Sequence, residues 1–97
     1  MIFRILEKYL SYLSVLIRAN RDYKSFVSYH DLSIEIGSSE SGVYDMTQEL
    51  LEGGYVYTTA AGVVLTSRGE ELHSLLFELY ALHEDQYESG LEVEERG

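Results

Sequence analysis

The stretch from Asp31 to Val56, DLSIEIGSSESGVYDMTQELLEGGYV, limits the folds open to this chain more than any other part of it. Leu32 and Ile36 stand four residues apart, which predicts one or two helical turns over 31–36 with both side chains on one face. Gly37 ends that helix, because glycine takes the left-handed conformation of a helix C-terminus without steric cost. Ser38 or Ser39 can then cap a second helix running to about Glu52, where Gly53 and Gly54 stop it. The same stretch holds six acids and no lysine or arginine.

Periodicity supplies the flanking elements. Ile2, Leu6, Tyr9, Leu13 and Leu16 follow helical spacing, with Phe3, Leu10 and Ile17 as a second row, and predict a helix from about Phe3 to Ala19. Its apolar arc exceeds the roughly 100° that covers one neighbour. The arc is therefore either the centre of one core or shared between the core and a second subunit. "SFVS" is a short strand candidate. "YVY" and "GVVLT" predict a hairpin, with Gly62 available for the turn. Ser67 and Glu70 have capping-box spacing for a last helix, whose seam is Leu72, Leu75, Leu76, Leu79 and Leu82. Beyond about Tyr87 the periodicity is lost, so the reading is one domain over 1–88 and an acidic flexible tail over 89–97.

With 97 residues the chain can build one modest core and no second. It lacks cysteine, which excludes disulfides, thiolate metal sites and a cysteine nucleophile. Arg4, Glu7 and Lys8 interrupt the apolar opening where a signal or membrane segment would be purely apolar, so no membrane role and a cytoplasmic location are expected. The net charge of -10 is uneven: residues 1–24 carry five bases and two acids, 25–66 no base and six acids, and 67–97 two bases and nine acids. Such a field repels nucleic acid and favours basic partners.

The element order resembles the winged helix-turn-helix, mainly α with a small β-hairpin wing, and residues 31–72 look like the small transcription regulators of the MarR, PadR and DtxR type. "DLSIEIGSS" is similar to the opening of their motif, with Ser33 where a small alanine usually sits. "VYDMTQELLEGGYV" resembles their second helix with Val43, Leu50 and Gly54 in register, and "VVLTSRGEEL" resembles the close of their wing through Leu65, Thr66, Gly69 and Leu72. The resemblance implies a homodimeric DNA-binding regulator whose second motif helix enters the major groove of double-stranded DNA. Carried over position by position, the contact residues are Ser39, Glu40, Ser41, Tyr44, Asp45 and Gln48, with Thr58 and Thr59 from the wing. Arg18, Arg21, Lys24 and Arg68 are the cations near enough in sequence to meet phosphate. Leu6, Leu13, Leu75, Leu79 and Leu82 are expected at the dimer interface.

Family members usually carry basic or hydroxyl side chains where this chain has Glu40 and Asp45. Glutamate can accept from cytosine N4 and glutamine can pair with adenine, but phosphate anchoring supplies most of the affinity. The residues therefore also support an acidic protein-interaction module or DNA mimic that binds a basic protein. A high-salt habitat would shorten the repulsion from DNA and is a third account of the charge.

Other chemistry is weakly signalled. Glu70 and His73 share a helical face, but carboxylate metal sites need further ligands, and His30 and His83 add none at a suitable spacing. No nucleophile elbow or phosphate-cradling glycine loop occurs, so neither an enzyme nor a cofactor is expected. Nine tyrosines exceed what so small a core can bury, and Tyr44 is the one expected to make contacts.

Overall fold

The structure, a computed structural model, describes residues 2–22 and 26–96, with side chains over 4–22 and 26–82. The element order is α1 (Ile2–Arg21), α2 (Tyr29–Ile36), α3 (Glu40–Glu52), β1 (Val56–Thr58), β2 (Val63–Leu65) and α4 (Ser67–Arg96). α2 starts two residues before its expected position because the Ser28 side chain accepts from the Asp31 N–H at 3.1 Å and caps it. Gly37 ends it in the left-handed conformation, with φ 67° and ψ 37°. Of the two candidate serines Ser39 caps α3, accepting from the Gly42 N–H at 3.1 Å.

The cap of α4 differs from expectation. Thr66, not Ser67, receives the Gly69 N–H on its Oγ1 at 3.1 Å and the Glu70 N–H on its carbonyl at 3.0 Å. The Thr66 hydroxyl also donates to the Gly54 carbonyl at 2.8 Å, so the loop before the wing selects which of two adjacent hydroxyl residues caps the helix. α4 is helical through Arg96, and the loss of apolar periodicity after Tyr87 does not coincide with a helix end.

β1 and β2 pair antiparallel, Val56 opposite Leu65 and Thr58 opposite Val63. Thr59 and Gly62 exchange backbone hydrogen bonds of 2.7 and 3.2 Å, leaving Ala60 and Ala61 at the tip. The expected strand at "SFVS" is a single bridge among the described residues: Val27 and Val63 exchange bonds of 2.9 and 2.8 Å. Gly62 permits the approach, since a Cβ there would lie 2.4 Å from the Val27 carbonyl oxygen.

Tyr12, Leu13 and Leu16 of α1 meet Leu32 of α2, Val43, Met46 and Leu50 of α3, and Val27, Val56 and Val63 on the sheet side. Burying side chains of this size contributes roughly 1.5–3 kcal/mol each. Leu13, expected at a dimer interface, is fully buried in this core. An apolar period marks which face of a helix is covered and is silent on what covers it. The arrangement, mainly helical with one two-stranded hairpin, is a winged helix-turn-helix in which α2 and α3 form the motif and β1 and β2 the wing. No helix among the described residues is long and apolar enough to cross a membrane.

Candidate recognition surface

α3 divides cleanly into two faces. Val43, Met46, Thr47 and Leu50 point into the core, while Glu40, Ser41, Tyr44 and Asp45 are exposed and Gln48 is half-buried. Thr47 fixes the helix from its buried side: its hydroxyl donates to the Val43 carbonyl at 2.7 Å, so the Tyr12 hydroxyl must donate to Thr47 Oγ1. Nearer the C-terminus of α3, Tyr9 of α1 donates to Glu49 Oε2. Burial, then the hydrogen bond to Glu49 and its charge, push the Tyr9 hydroxyl up to about 12.

The outward residues do not all present free groups. Tyr44 is 51% exposed and meets Tyr29 of α2 edge-on, with ring centroids 6.1 Å apart. Glu40 Oε2 lies 3.6 Å from His30 Nδ1, a pairing of two exposed groups that the sequence did not signal. The Ser39 hydroxyl is held by Gly42 N–H and lies 3.2 Å from Ser41 Oγ. On the wing, Thr58 is exposed, whereas the Thr59 hydroxyl accepts from Ala61 and Gly62 N–H groups at 3.1 and 3.2 Å and so serves the turn. Tyr57, half-exposed on β1, is an aromatic wing residue that sequence reasoning did not single out; its alternation with buried Val56 was the available signal.

All six acids of this segment, Asp31, Glu35, Glu40, Asp45, Glu49 and Glu52, are exposed. The cations expected to offset them are partly engaged elsewhere. Arg18 reaches Glu35 of α2 at 3.6 Å, an exposed pair, and the Arg68 guanidinium lies over the Tyr55 ring at 5.1 Å. Arg21 is exposed in the last turn of α1, and Lys24 lies outside the described residues. His73 is partly buried between α1 and α4: its Nε2 is 3.0 Å from Ser14 Oγ, its ring stacks on Phe77, and burial lowers its pKa.

On α4 the side chains of Leu75, Leu79 and Leu82 are 58%, 54% and 57% exposed. Leu6 is half-buried and lines an apolar depression with Ile5, Leu72 and Leu76. Leu75, Leu79 and Leu82 form an exposed apolar strip along α4, which Leu13 does not join.

No protein-family model matches the chain, and no curated protein matches it. The crystal structure of the hypothetical protein SSo2273 from Sulfolobus solfataricus is similar, with a TM-score of 0.61 and 25% identity over 66% of this chain and 49% of that one. The chain thus spans about half the length of the solved structure it matches.

Proposed function

We propose that the chain is a winged-helix transcription regulator that acts as a homodimer and presents α3 and the wing to double-stranded DNA. The observation that carries this reading is the outward set on α3: Glu40, Ser41, Tyr44, Asp45 and Gln48 occupy the side of the helix away from the core. In this arrangement Gln48 can address adenine, Glu40 or Asp45 can accept from cytosine N4, and the Ser41 and Thr58 hydroxyls can reach phosphate. Arg21 and Lys24, with Arg18 and Arg68 if released from their neighbours, supply anchoring that two subunits double. The reading assigns no catalysis and no cofactor, and implies a cytoplasmic protein. The exposed strip of Leu75, Leu79 and Leu82 supports the homodimer. A sedimentation mass of one chain at micromolar concentration would remove that part.

One observation favours a second reading, an acidic module that binds a basic protein. Six exposed acids lie on α2 and α3 without a lysine or arginine between residues 25 and 66, and Arg18 and Arg68 are already engaged. Gel-shift titration of random duplex at low and high salt separates the two. A salt-sensitive shift supports the regulator. Absence of any shift, together with saturable binding of a lysine-rich peptide that Glu40→Lys/Asp45→Lys abolishes, rejects DNA in favour of the protein partner.

A further inference from the structure

Two contacts bring the start of α2 and the outer side of α3 to one place. Tyr29 and His30 are consecutive on α2, and Glu40 and Tyr44 lie one turn apart on α3. The Tyr29 and Tyr44 rings meet at 68° with centroids 6.1 Å apart, and His30 Nδ1 stands 3.6 Å from Glu40 Oε2. An aromatic corner and a carboxylate thus share the mouth of the junction between α2 and α3.

The backbone beneath these side chains is fixed from within. Ser28 caps α2, and the Ser33 hydroxyl donates to the His30 carbonyl at 2.6 Å. Tyr29 packs against the core, while Ser39 caps α3, and Val43 and Thr47 of the same helix are fully buried. Tyr44 does not follow them inward: its contact with Tyr29 leaves it 51% exposed. An open ring on a backbone already held in place loses little further freedom when it takes a ligand.

The surroundings select a cation. Tyr44 has Glu40 one turn before it and Gln48 one turn after, neighbours on one helix face at roughly 5–6 Å between Cβ atoms, with Asp45 beside it. Between residues 25 and 66 no lysine or arginine offsets these acids. A tyrosine face attracts a cation within about 6 Å of the ring centroid, and among the described residues Arg68 makes such a contact over Tyr55 at 5.1 Å. Arginine suits the junction better than lysine. Its planar guanidinium can stack on a ring and still donate to a carboxylate, whereas the lysine ammonium is compact and strongly hydrated. His30 competes weakly for Glu40, since an ion pair between exposed groups contributes little.

We infer that the junction of α2 and α3 receives an arginine side chain of a basic protein partner, stacked on Tyr44 and held by the Glu40 carboxylate. The inference rests on the reading of the chain as an acidic module for a basic protein, and adds to it the centre of the contact and the preferred cation. On charge alone, Glu40, Asp45 and Glu49 accept lysine and arginine alike. The exposed ring is what distinguishes the two.

Calorimetric titration of the full chain with an arginine-rich glycine-serine peptide, and with its lysine-for-arginine counterpart of equal length and charge, provides the test. The arginine peptide is expected to bind about threefold to tenfold more tightly, the range of an exposed cation–π contact reinforced by a charge-assisted hydrogen bond. Tyr44→Ala should bring the arginine peptide down to the level of the lysine one. Tyr44→Phe should keep the preference, because the ring and not the hydroxyl makes the contact. Should circular dichroism show that Tyr44→Ala does not fold, Tyr44→Leu keeps an apolar neighbour for Tyr29 and still removes the aromatic face. Glu40→Gln should weaken the arginine peptide while the fold is unchanged. Equal affinity for the two peptides, lost in Glu40→Lys/Asp45→Lys but untouched by Tyr44→Ala, overturns the inference and leaves the basic-partner reading standing. Binding of neither peptide removes both, and a loss of duplex DNA affinity in Tyr44→Ala then assigns the ring to nucleic acid.

Discussion

The Tyr12 hydroxyl donates to Thr47 Oγ1 at 2.5 Å across the centre of the core, tying α1 to the helix that carries the candidate contact residues. Both side chains are fully buried. Thr47→Val should strand the Tyr12 hydroxyl without a partner and cost about 1–3 kcal/mol, whereas Tyr12→Phe leaves Thr47 still donating to Val43 and should cost less. The double variant should be more stable than the sum of the two losses implies, because both members of the pair are then apolar. Urea unfolding midpoints of the four proteins measure this, and strict additivity would show the hydroxyls are not coupled.

Gly69 lies in the first turn of α4, where alanine would ordinarily improve helix stability by about 1 kcal/mol. A Cβ at Gly69 would instead stand 2.1 Å from the Tyr55 carbonyl oxygen and 2.5 Å from Leu65 Cδ1. Gly69→Ala is therefore expected to destabilise by about 1–3 kcal/mol through overpacking of the junction between wing and helix. Gly42→Ala should lose less, because the obstructing atom there is the Ser38 hydroxyl, the end of a side chain that can rotate. Thermal denaturation of the two variants gives the order.

Alkaline pH should loosen the fold. Burial holds the hydroxyls of Tyr9 and Tyr12 up to about 12, against an ordinary 10.0. As pH rises the unfolded chain loses these protons first, so the stability they contribute is complete below about pH 10 and lost on approaching about pH 12. Midpoints of urea unfolding from about pH 9 to about pH 11.5 should fall, and fall less steeply in Tyr9→Phe. An unchanged slope in that variant would mean that Tyr9 does not titrate differently in the two states.

Replacing Glu40 and Asp45 by lysine should leave circular dichroism near wild type, since both side chains are exposed, with a small loss of stability as Glu40 leaves a helix N-terminus and His30. If α3 faces DNA, nonspecific duplex affinity should rise, and the dependence of log K on log salt should steepen by roughly 0.9 for each additional phosphate neutralised. A double variant that folds but binds duplex no better than wild type would place the nucleic-acid face elsewhere.

Much of the helix-turn-helix was legible because its signals are local. Gly37 and Ser39 act through their own backbone and immediate neighbours, and the outward positions on α3 follow from the helical period of Val43, Thr47 and Leu50. The candidate surface was less legible. Ser39 and Thr59 had the right chemistry for contacts, yet their hydroxyls hold a cap and a turn. Arg18 and Arg68 were available by sequence and engaged by neighbours brought from 17 and 13 residues away, Glu35 and Tyr55.

Apolar spacing, glycine placement and charge distribution settled that this chain forms short helices followed by a hairpin, and that its helix-turn-helix carries acids where bases are usual. Tertiary structure alone decided that Leu13 belongs to the core, that Thr66 rather than Ser67 caps α4, and that Tyr9 meets Glu49 from 40 residues away. The reason is physical. Backbone preferences and helical periods act within a few residues, so a linear sequence displays them directly. Which of two equivalent side chains is covered, capped or paired depends on atoms that only folding brings within hydrogen-bonding or van der Waals range.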